Sequence, residues 1–357
     1  MSFYRINKNL EGRQRWLLEL GGFALILGVW WMLTAGSSPV VEKGILPAPR
    51  AIFKAFGELI NQNDLIPNFC YSLGLNLGGY MEAILLSIPL GFLMGLVPQV
   101  RAAFIRPVDA ARFLVLPAAV GLFIAWFGIG SWMKVHFLAF GIIIYLLPVA
   151  IQRVDDVHDV YLKTVYTLGA SRWQMIQTVY FPSVISKLFT DIRILTAISW
   201  TYIVIAEAIG GEAGIGALTW RVGLRRGRID KVFCLLIIIM IVGIIQDKLF
   251  GYLDRKLFPH KYQAVREEWE DPQETSVSDT IMDYMMSTFS WVLIGAYLVL
   301  LLDEYFSIIG NVKLLSYLFK DTIWVFHLIF IGLVAIKIRP WIGRFSDSRQ
   351  SIPTTVS

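Results

Sequence analysis

The chain has 357 residues, of which 56% are hydrophobic, 14% are aromatic and only 17% are charged. Soluble domains usually contain about 25% charged residues, so this composition excludes an ordinary soluble domain and indicates an integral membrane protein in a lipid bilayer. The net charge of +5 gives no reason to expect nucleic-acid binding, because a small basic excess in a membrane protein is better explained by the orientation of its loops.

Apolar runs long enough to cross a bilayer follow a basic N-terminal segment, residues 1–15. About 20 apolar residues are needed to cross roughly 30 Å of hydrocarbon. We expect eight spans, of which the last two are the weakest: Trp16–Ala35, Leu77–Val97, Pro107–Phe127, Trp132–Ala150, Leu188–Gly210, Val232–Leu253, Met285–Leu302 and Thr322–Ile338. The first run is longer than the apolar core of a cleaved signal peptide, so we expect it to be retained. Pro89, Pro117 and Pro148 lie inside three of the spans, where neighbouring helices can tolerate them.

Lysine and arginine residues near the ends of spans predict the orientation, since they are more frequent on the cytoplasmic side. An N-terminus inside the cell makes most of them cytoplasmic: Arg101, Arg106, Arg153, Lys163, Arg172, Lys187, Arg255, Lys256, Lys261, Arg266, Lys337 and Arg339. One loop disagrees, because its five basic residues then lie outside: Arg221, Arg225, Arg226, Arg228 and Lys231. We therefore predict a cytoplasmic N-terminus and treat this loop as an anomaly that needs a physical reason.

The loop of residues 152–187, between the fourth and fifth spans, has the pattern of two short helices joined by a turn. Gly169 predicts a left-handed residue that closes the first helix. Ser171 and Gln174 predict a capping box at the start of the second helix, and Pro182 predicts that this helix does not run on unbroken. An ordered element outside the lipid indicates a contact with another protein. The alternative is an amphipathic helix that packs on the membrane surface.

Motifs for bond chemistry are absent from the sequence. It contains no phosphate-binding loop, no zinc-protease helix and no nucleophile elbow. The two cysteines and four histidines are scattered, so no metal site and no cofactor site are predicted on this chain. If ATP drives transport, the nucleotide must bind on another chain.

The 152–187 loop resembles the "EAA" loop of permease subunits in bacterial ABC importers. That pattern is Glu-Ala-Ala, three residues, Gly, nine residues and Ile-x-Leu-Pro. Nine residues separate Gly169 from Val179-Tyr180-Phe181-Pro182, whereas Lys163-Thr164-Val165 replaces the Glu-Ala-Ala part. Over roughly residues 15–260, further blocks resemble the permease subgroup for nitrate, taurine, alkanesulfonates and related anions: Leu46-Pro47-Ala48-Pro49, Pro89-Leu90-Gly91, Trp126-Phe127-Gly128-Ile129-Gly130, Thr167-Leu168-Gly169-Ala170-Ser171, Ala206-Glu207-Ala208-Ile209-Gly210 and Gly214-Ile215-Gly216.

This resemblance implies an all-α polytopic membrane protein of the cell inner membrane. Its six-span permease core covers residues 16–258, followed by a polar cytoplasmic linker at 259–284, an additional transmembrane hairpin at 285–338 and a cytoplasmic tail at 339–357. It also implies several partners: a second permease copy as a homodimer, two copies of an ABC ATPase that binds ATP and Mg²⁺, and an extracytoplasmic solute-binding protein. The chain itself is expected to be a transport subunit for a small anion and not an enzyme.

The resemblance also implies candidate site residues. Contact with the ATPase is expected at ten positions of the loop: Tyr166, Leu168, Gly169, Ala170, Ser171, Arg172, Trp173, Gln174, Val179 and Pro182. Arg193 and Glu207, on the fifth span, are candidates for the translocation pathway or gate, and a structural ion pair between helices is the alternative. Charges there are costly, at about 2.5–3.5 kcal/mol for a residue at the bilayer centre.

The outer basic loop supplies the last candidates. Arg221, Arg225 and Arg228 are spaced to share one helix face, which is expected to attract the binding protein or an anionic substrate. The alternative is a solvated face near lipid headgroups. For Glu82, in the second span, the sequence suggests no role.

Two other functions remain open at this point. An ion-gradient-driven secondary transporter would show inverted repeats and broken helices at the midplane, and neither is evident in the sequence. A membrane scaffold or sensor would use the loop to dock a cytoplasmic partner without moving a solute. The substrate itself cannot be predicted, because the binding protein of such systems largely sets specificity.

Overall fold

The computed structural model describes residues 12–35, 41–42, 44–211, 213–259, 261, 277–306 and 313–350, and these form helices joined by short turns with no strand among them. In chain order the helices are α1 Gly12–Thr34, α2 Pro49–Gln62, α3 Leu65–Leu96, α4 Pro98–Ala111, α5 Leu116–Phe127, α6 Ser131–Asp155, α7 Asp159–Thr167, α8 Arg172–Met175, α9 Phe181–Gly210, α10 Ile215–Leu218, α11 Ile229–Leu257, α12 Val277–Phe306, α13 Leu314–Phe319 and α14 Ile323–Gln350. Part of the predicted linker, residue 260 and residues 262–276, lies outside the described residues.

Seven stretches of helix are long and apolar enough to cross a membrane, and the bent pair α4–α5 gives an eighth if it is one span. The seven are Trp16–Thr34, Leu65–Leu96, Ser131–Asp155, Arg172–Ile209, Ile229–Leu257, Ser287–Phe306 and Leu314–Ala335. The all-α membrane fold is therefore confirmed. The last predicted span is longer than expected, because it begins with α13 and not at Thr322.

The packing of α3 against α6 shows whether the bent pair α4–α5 crosses the membrane as one span. Near their starts, the Tyr71 hydroxyl lies 2.7 Å from the Ser131 hydroxyl. Further along, Gly79 packs against Leu138, and near their ends Gly95 packs against Val154. The two helices therefore run parallel, so the chain between Leu96 and Ser131 must return across the membrane. The bent pair is a span, and the described residues contain eight.

The third predicted span, Pro107–Phe127, is wrong as a single helix. α4 ends at Ala111, α5 begins at Leu116, and the two axes bend by 109°. Pro117 occupies the first turn of α5. A proline there needs no backbone N–H donor, whereas inside a helix it removes a hydrogen bond and clashes with the preceding turn. Pro89 and Pro148, by contrast, lie inside α3 and α6 without breaking them.

The described chain folds into two compact units. The first unit contains residues up to Asp64 together with Thr219–Ile238. Its α2 is an amphipathic helix that buries Ile52, Ala55 and Leu59. The second unit contains Leu65–Leu218 and the residues from Ile239 onward. Its core is formed by α3, α6 and α9, with Phe137 and Leu138 of α6 fully buried.

Candidate functional site: the 152–187 loop and the charged residues of the spans

The turn of the 152–187 loop has the geometry that the sequence predicts. Gly169 has a φ of +79°, so the predicted left-handed residue at the end of α7 is confirmed. The Gly169 N–H donates to the Tyr166 carbonyl, and the Ala170 N–H donates to the Val165 carbonyl. These two bonds form a Schellman motif, which satisfies the last carbonyl groups of α7 and fixes the direction in which the chain leaves it.

The capping box at the start of α8 is also confirmed. The Gln174 N–H donates to the Ser171 hydroxyl at 3.3 Å, and the Ser171 N–H donates to the Gln174 side-chain oxygen at 2.8 Å. A cap of this kind contributes about 1 kcal/mol to the stability of a helix. The turn between α7 and α8 is therefore fixed at both ends by local hydrogen bonds, and the two helices form one ordered element.

The second helix does not run on as an unbroken α-helix, as predicted, but the interruption at Pro182 is a single π turn and not an end of the helical path. The chain passes from α8 through one π-helical turn, Ile176–Tyr180, directly into α9. Pro182 lies in the first turn of α9, and the wider π turn accommodates the ring without a bend that ends the helix. The region Arg172–Ile209 is consequently a single candidate span, and the predicted contact residues Arg172 and Val179 are joined to it.

Large apolar side chains of the loop are exposed. Leu168 is 80% exposed, Tyr166 is 71% exposed and Trp173 is 65% exposed. Contiguous exposed apolar surface on an ordered element typically marks an interaction site.

A cluster of charges at the base of the loop was missed by the sequence analysis. Arg153, in the last turn of α6, donates two hydrogen bonds of 2.7 and 2.8 Å to the carboxylate of Asp191 in α9 and one to Asp156. Lys187 donates to the Asp156 carbonyl at 2.9 Å. The signal in the sequence is weak, since only Arg153 and Asp156 are neighbours in the chain. The cluster ties both ends of the loop to the bundle.

Arg193 forms an ion pair between two helices. Its guanidinium donates two hydrogen bonds, of 2.6 and 2.7 Å, to the carboxylate of Asp247 in α11. Further along α9, and on the same pair of helices, the Trp200 indole N–H donates to the Gln246 side chain at 2.9 Å. The Arg193 and Asp247 side chains remain 34% and 46% exposed, so their contact leaves one side of the pair open.

Glu207 is fully buried near the other end of α9. Its carboxylate accepts a hydrogen bond of 2.6 Å from the Ser72 hydroxyl and one of 2.8 Å from the Gly216 N–H. The Ile215 N–H donates in turn to Ser72. We call Ser72, Glu207 and the backbone of Gly214–Gly216 the Glu207 cluster. It anchors the turn after α9 to α3, and the pathway role of Glu207 stays a prediction.

The predicted helix face of Arg221, Arg225 and Arg228 is wrong. Residues Thr219–Gly223 form a π turn, Leu224–Arg226 form a 3₁₀ turn, and Gly227 then ends the helical path with a φ of +64°. The left-handed glycine places Arg228 beyond the end of the turn that contains Arg225. A common face over these three residues would need an unbroken helix.

Two basic residues of this loop are held by acidic partners. Arg228 pairs with Asp230 and Glu58, each at 2.8 Å, and Lys231 lies 3.3 Å from Glu58. The hydrogen bond from Arg228 holds the pKa of Glu58 below its ordinary value. Bonds to Asp230 and Glu58 raise the pKa of Arg228. The excess of basic residues in this outer loop is therefore partly explained, since acidic partners neutralise Arg228 and Lys231. Arg221, Arg225 and Arg226 remain exposed.

Glu82 has a partner that the sequence did not reveal. Its carboxylate oxygens lie 2.8 and 2.9 Å from Nδ1 of His136 on α6. The two residues are 54 positions apart, so no local pattern in the sequence could have shown the contact.

Comparison with known proteins identifies the family. Residues 84–259, which contain the loop, Glu207 and the ion pair of Arg193, match the family described as "Binding-protein-dependent transport system inner membrane component". The chain is a permease of this family. The taurine transport system permease protein of Escherichia coli is 26% identical over 268 residues, which cover 71% of this permease and 96% of that protein. The putative aliphatic sulfonates transport permease protein of Bacillus subtilis is 28% identical over 251 residues, which cover 69% and 89%.

A solved bacterial ABC transporter, described as importing the acidic polysaccharide alginate, superposes on the permease with a TM-score of 0.45 at 15% sequence identity. The superposition covers 68% of this permease and 96% of that chain. The relatives are transport permease subunits of ABC importers and not enzymes. The permease is accordingly a multi-span membrane subunit, whose family works with an ATPase and a binding protein.

Proposed function

We propose that this permease forms half of the pathway of an ATP-driven importer for a small sulfonate-type anion such as taurine or an alkanesulfonate. The observation on which the coupling depends is the ordered, apolar and exposed surface of the 152–187 loop. Hydrogen bonds within the turn fix its shape. Tyr166, Leu168 and Trp173 are exposed around this turn, where a partner protein can contact them. The substrate class is supported by the names of the relatives.

The proposed partner of the loop is an ABC ATPase, which would bind ATP and Mg²⁺ in two copies beneath a pair of permeases. The geometry suggests how force reaches the pathway. α8 continues through the π turn into α9, so a displacement of the loop acts directly on the helix that contains Arg193. Arg153 ties Asp191 of α9 to the end of α6, so that both helices would move with the loop between inward and outward access.

Reconstitution tests this function. The permease is placed in liposomes with the ATPase and the solute-binding protein, and the uptake of radiolabelled taurine, ethanesulfonate and nitrate is measured. We expect uptake of a sulfonate that requires ATP and both partners. Uptake by the permease alone, driven by an ion gradient, would show a secondary transporter. Copurification of the ATPase without any uptake would show a scaffold.

A photo-crosslinker at Ser171 tests the coupling contact in cells. The expected product joins the permease to the ATPase, because Ser171 lies between the exposed side chains of Leu168 and Trp173. The same crosslinker at Gly295, in α12 with no other atom near its Cβ position, is the control. Products with lipid alone at both sites would contradict the coupling role.

A further inference from the structure

The C-terminal hairpin, defined as α12, α13, the 3₁₀ turn Lys320–Thr322 and α14, has no counterpart in the family match, which ends at residue 259. The two relatives are matched over 96% and 89% of their own length, and these matches cover only 71% and 69% of this permease. The structure shows three separate contacts between the hairpin and the bundle, all on α3 and α6.

The first contact is a groove formed by two glycines of α3. Thr322 and Phe326 of the hairpin pack against Gly74, where an added Cβ would collide with both, and Val325 packs against Gly78. Thr322 is 2% exposed and Val325 is fully buried. Small residues let the backbones of membrane helices approach closely, and van der Waals packing then drives their association.

The second contact is polar and lies at the starts of α3 and α6, opposite the 152–187 loop. The Ser131 hydroxyl donates to the carboxylate of Asp321 at 3.0 Å and also lies 2.7 Å from the Tyr71 hydroxyl. Lys320 places its ammonium group 5.6 Å from the centre of the Tyr71 ring. One carboxylate of the hairpin therefore holds the first residue of α6 next to α3.

The third contact is a stack of rings that explains Glu82. Trp324 of the hairpin stacks on Trp132 of α6, with ring centres 5.5 Å apart and planes inclined by 14°. Trp132 lies in turn 5.9 Å from the ring of His136, whose Nδ1 is held by Glu82. An ionisable residue in a span is costly and usually has a specific role. Here Glu82 orients His136, and His136 supports the tryptophan that meets the hairpin.

We propose that these contacts make α3 and α6 the docking surface for the chain's own hairpin, which stays bound throughout the transport cycle and braces the ends of α3 and α6 opposite the loop. Glu82 and Asp321 are positioning residues of this surface. The start of α6 needs this restraint, because α6 begins directly after Gly128, Ile129 and Gly130. The two glycines of this connection restrict the backbone little. The hydrogen bond from Ser131 to Asp321 supplies the restraint that this connection lacks.

A disulfide lock tests the proposal. Cysteines are placed at Gly78 and Val325 of the full chain after Cys70 and Cys234 are replaced by serine, and a protease site is inserted within residues 262–276. After oxidation and cleavage, we expect the two fragments to remain joined in one product of monomer mass. We also expect uptake in the reconstituted importer to be unchanged by the lock. If that variant does not assemble, a photo-crosslinking aromatic residue at Trp324, whose ring stacks on Trp132, replaces the cysteine pair and should give the same joined product of monomer mass.

Several outcomes would overturn the proposal. A product of dimer mass would place the hairpin on a second copy, and no product from either the cysteine pair or the photo-crosslinker would show that the surface is not occupied. Loss of uptake on oxidation that reduction restores would show a lid that must open. The mass readout does not depend on ATPase or solute, so it remains valid if the proposed transport function fails. Gly78→Cys with Ile331→Cys, an exposed position of α14, is the control that should give no product.

Two substitutions test the positioning residues. Asp321→Asn and Glu82→Gln, each in the background of the first cysteine pair, are expected to lower the yield of the disulfide and to reduce uptake, while the amount of permease in the membrane stays the same. Unchanged disulfide yield and uptake in both variants would show that neither residue contributes to docking.

Discussion

Several charged residues inside the apolar spans of this permease lie beside groups that offset the cost of removing them from water. The partners are of three kinds: an opposite charge, a histidine, or a set of hydrogen-bond donors. Examples are Asp109 with Arg112, Arg193 with Asp247, Glu82 with His136, and Glu207 with Ser72 and Gly216. The exposure of these groups differs, and that difference separates a structural role from a role in transport.

Glu207 is predicted to act first on folding. Glu207→Ala removes the acceptor of two buried donors, the Ser72 hydroxyl and the Gly216 N–H, and each buried donor left without a partner costs about 1–3 kcal/mol. We therefore expect a large loss of folded permease in the membrane, measured by fluorescence-detected size exclusion. Glu207→Gln keeps one oxygen acceptor and should lose less. Normal abundance with abolished uptake in Glu207→Ala would instead establish a role in the pathway.

Arg193 and Asp247 are predicted to act on transport as well as on folding, because their pair is open on one side. Arg193→Ala leaves Asp247 without its partner and should reduce abundance. Exchanging the two residues, Arg193→Asp with Asp247→Arg, restores the ion pair and should restore abundance. We expect uptake by the exchanged variant to stay at least about tenfold low, since a lost bond to a charged group costs about 1.5–3 kcal/mol. Full recovery of uptake would show that the pair is only structural.

Elements whose form is decided by neighbouring residues were predictable from the sequence. Gly169 and the pair Ser171–Gln174 fix their turn through bonds to residues at most five positions away. Proline was less informative, because its effect depends on its position in the helix. Pro117 and Pro182 both occupy first turns, yet only the first follows a sharp bend. A π turn precedes Pro182, and no sequence pattern predicts such a turn.

The two-helix element of the loop is predicted to bind through Trp173. Truncating a central tryptophan of an interface typically costs about 2 kcal/mol or more, so Trp173→Ala should weaken binding of the purified ATPase roughly 30-fold. The thermal stability of the permease should not change, because the side chain is 65% exposed. Trp31→Ala, in α1, is the matched control, since its side chain is 62% exposed. Equal losses in both variants would contradict a specific contact at the loop.

The arrangement of the whole molecule depends on contacts between residues that are far apart in the chain. Tyr71 meets Ser131 across 60 positions and Ser131 meets Asp321 across 190, so neither the parallel course of α3 and α6 nor the docking of the hairpin could be predicted from the sequence. Composition and length were sufficient for the number of spans. Composition and length did not predict the bend between α4 and α5. The direction of α6 is what shows that this bent pair crosses the membrane.

Eight spans make a prediction about the two ends of the chain. An even number of crossings places both termini on one side of the membrane, and the distribution of basic residues predicts that this side is cytoplasmic. Single cysteines at Ser2, Ser171 and Ser357 of a variant without Cys70 and Cys234 should therefore be protected from a membrane-impermeant thiol reagent in intact cells, whereas a cysteine at Arg225 should react. All four should react once the cells are permeabilised. Labelling at Ser171 and Ser357 with protection at Ser2 and Arg225 would mean that α4–α5 does not cross, and would contradict the parallel course of α3 and α6.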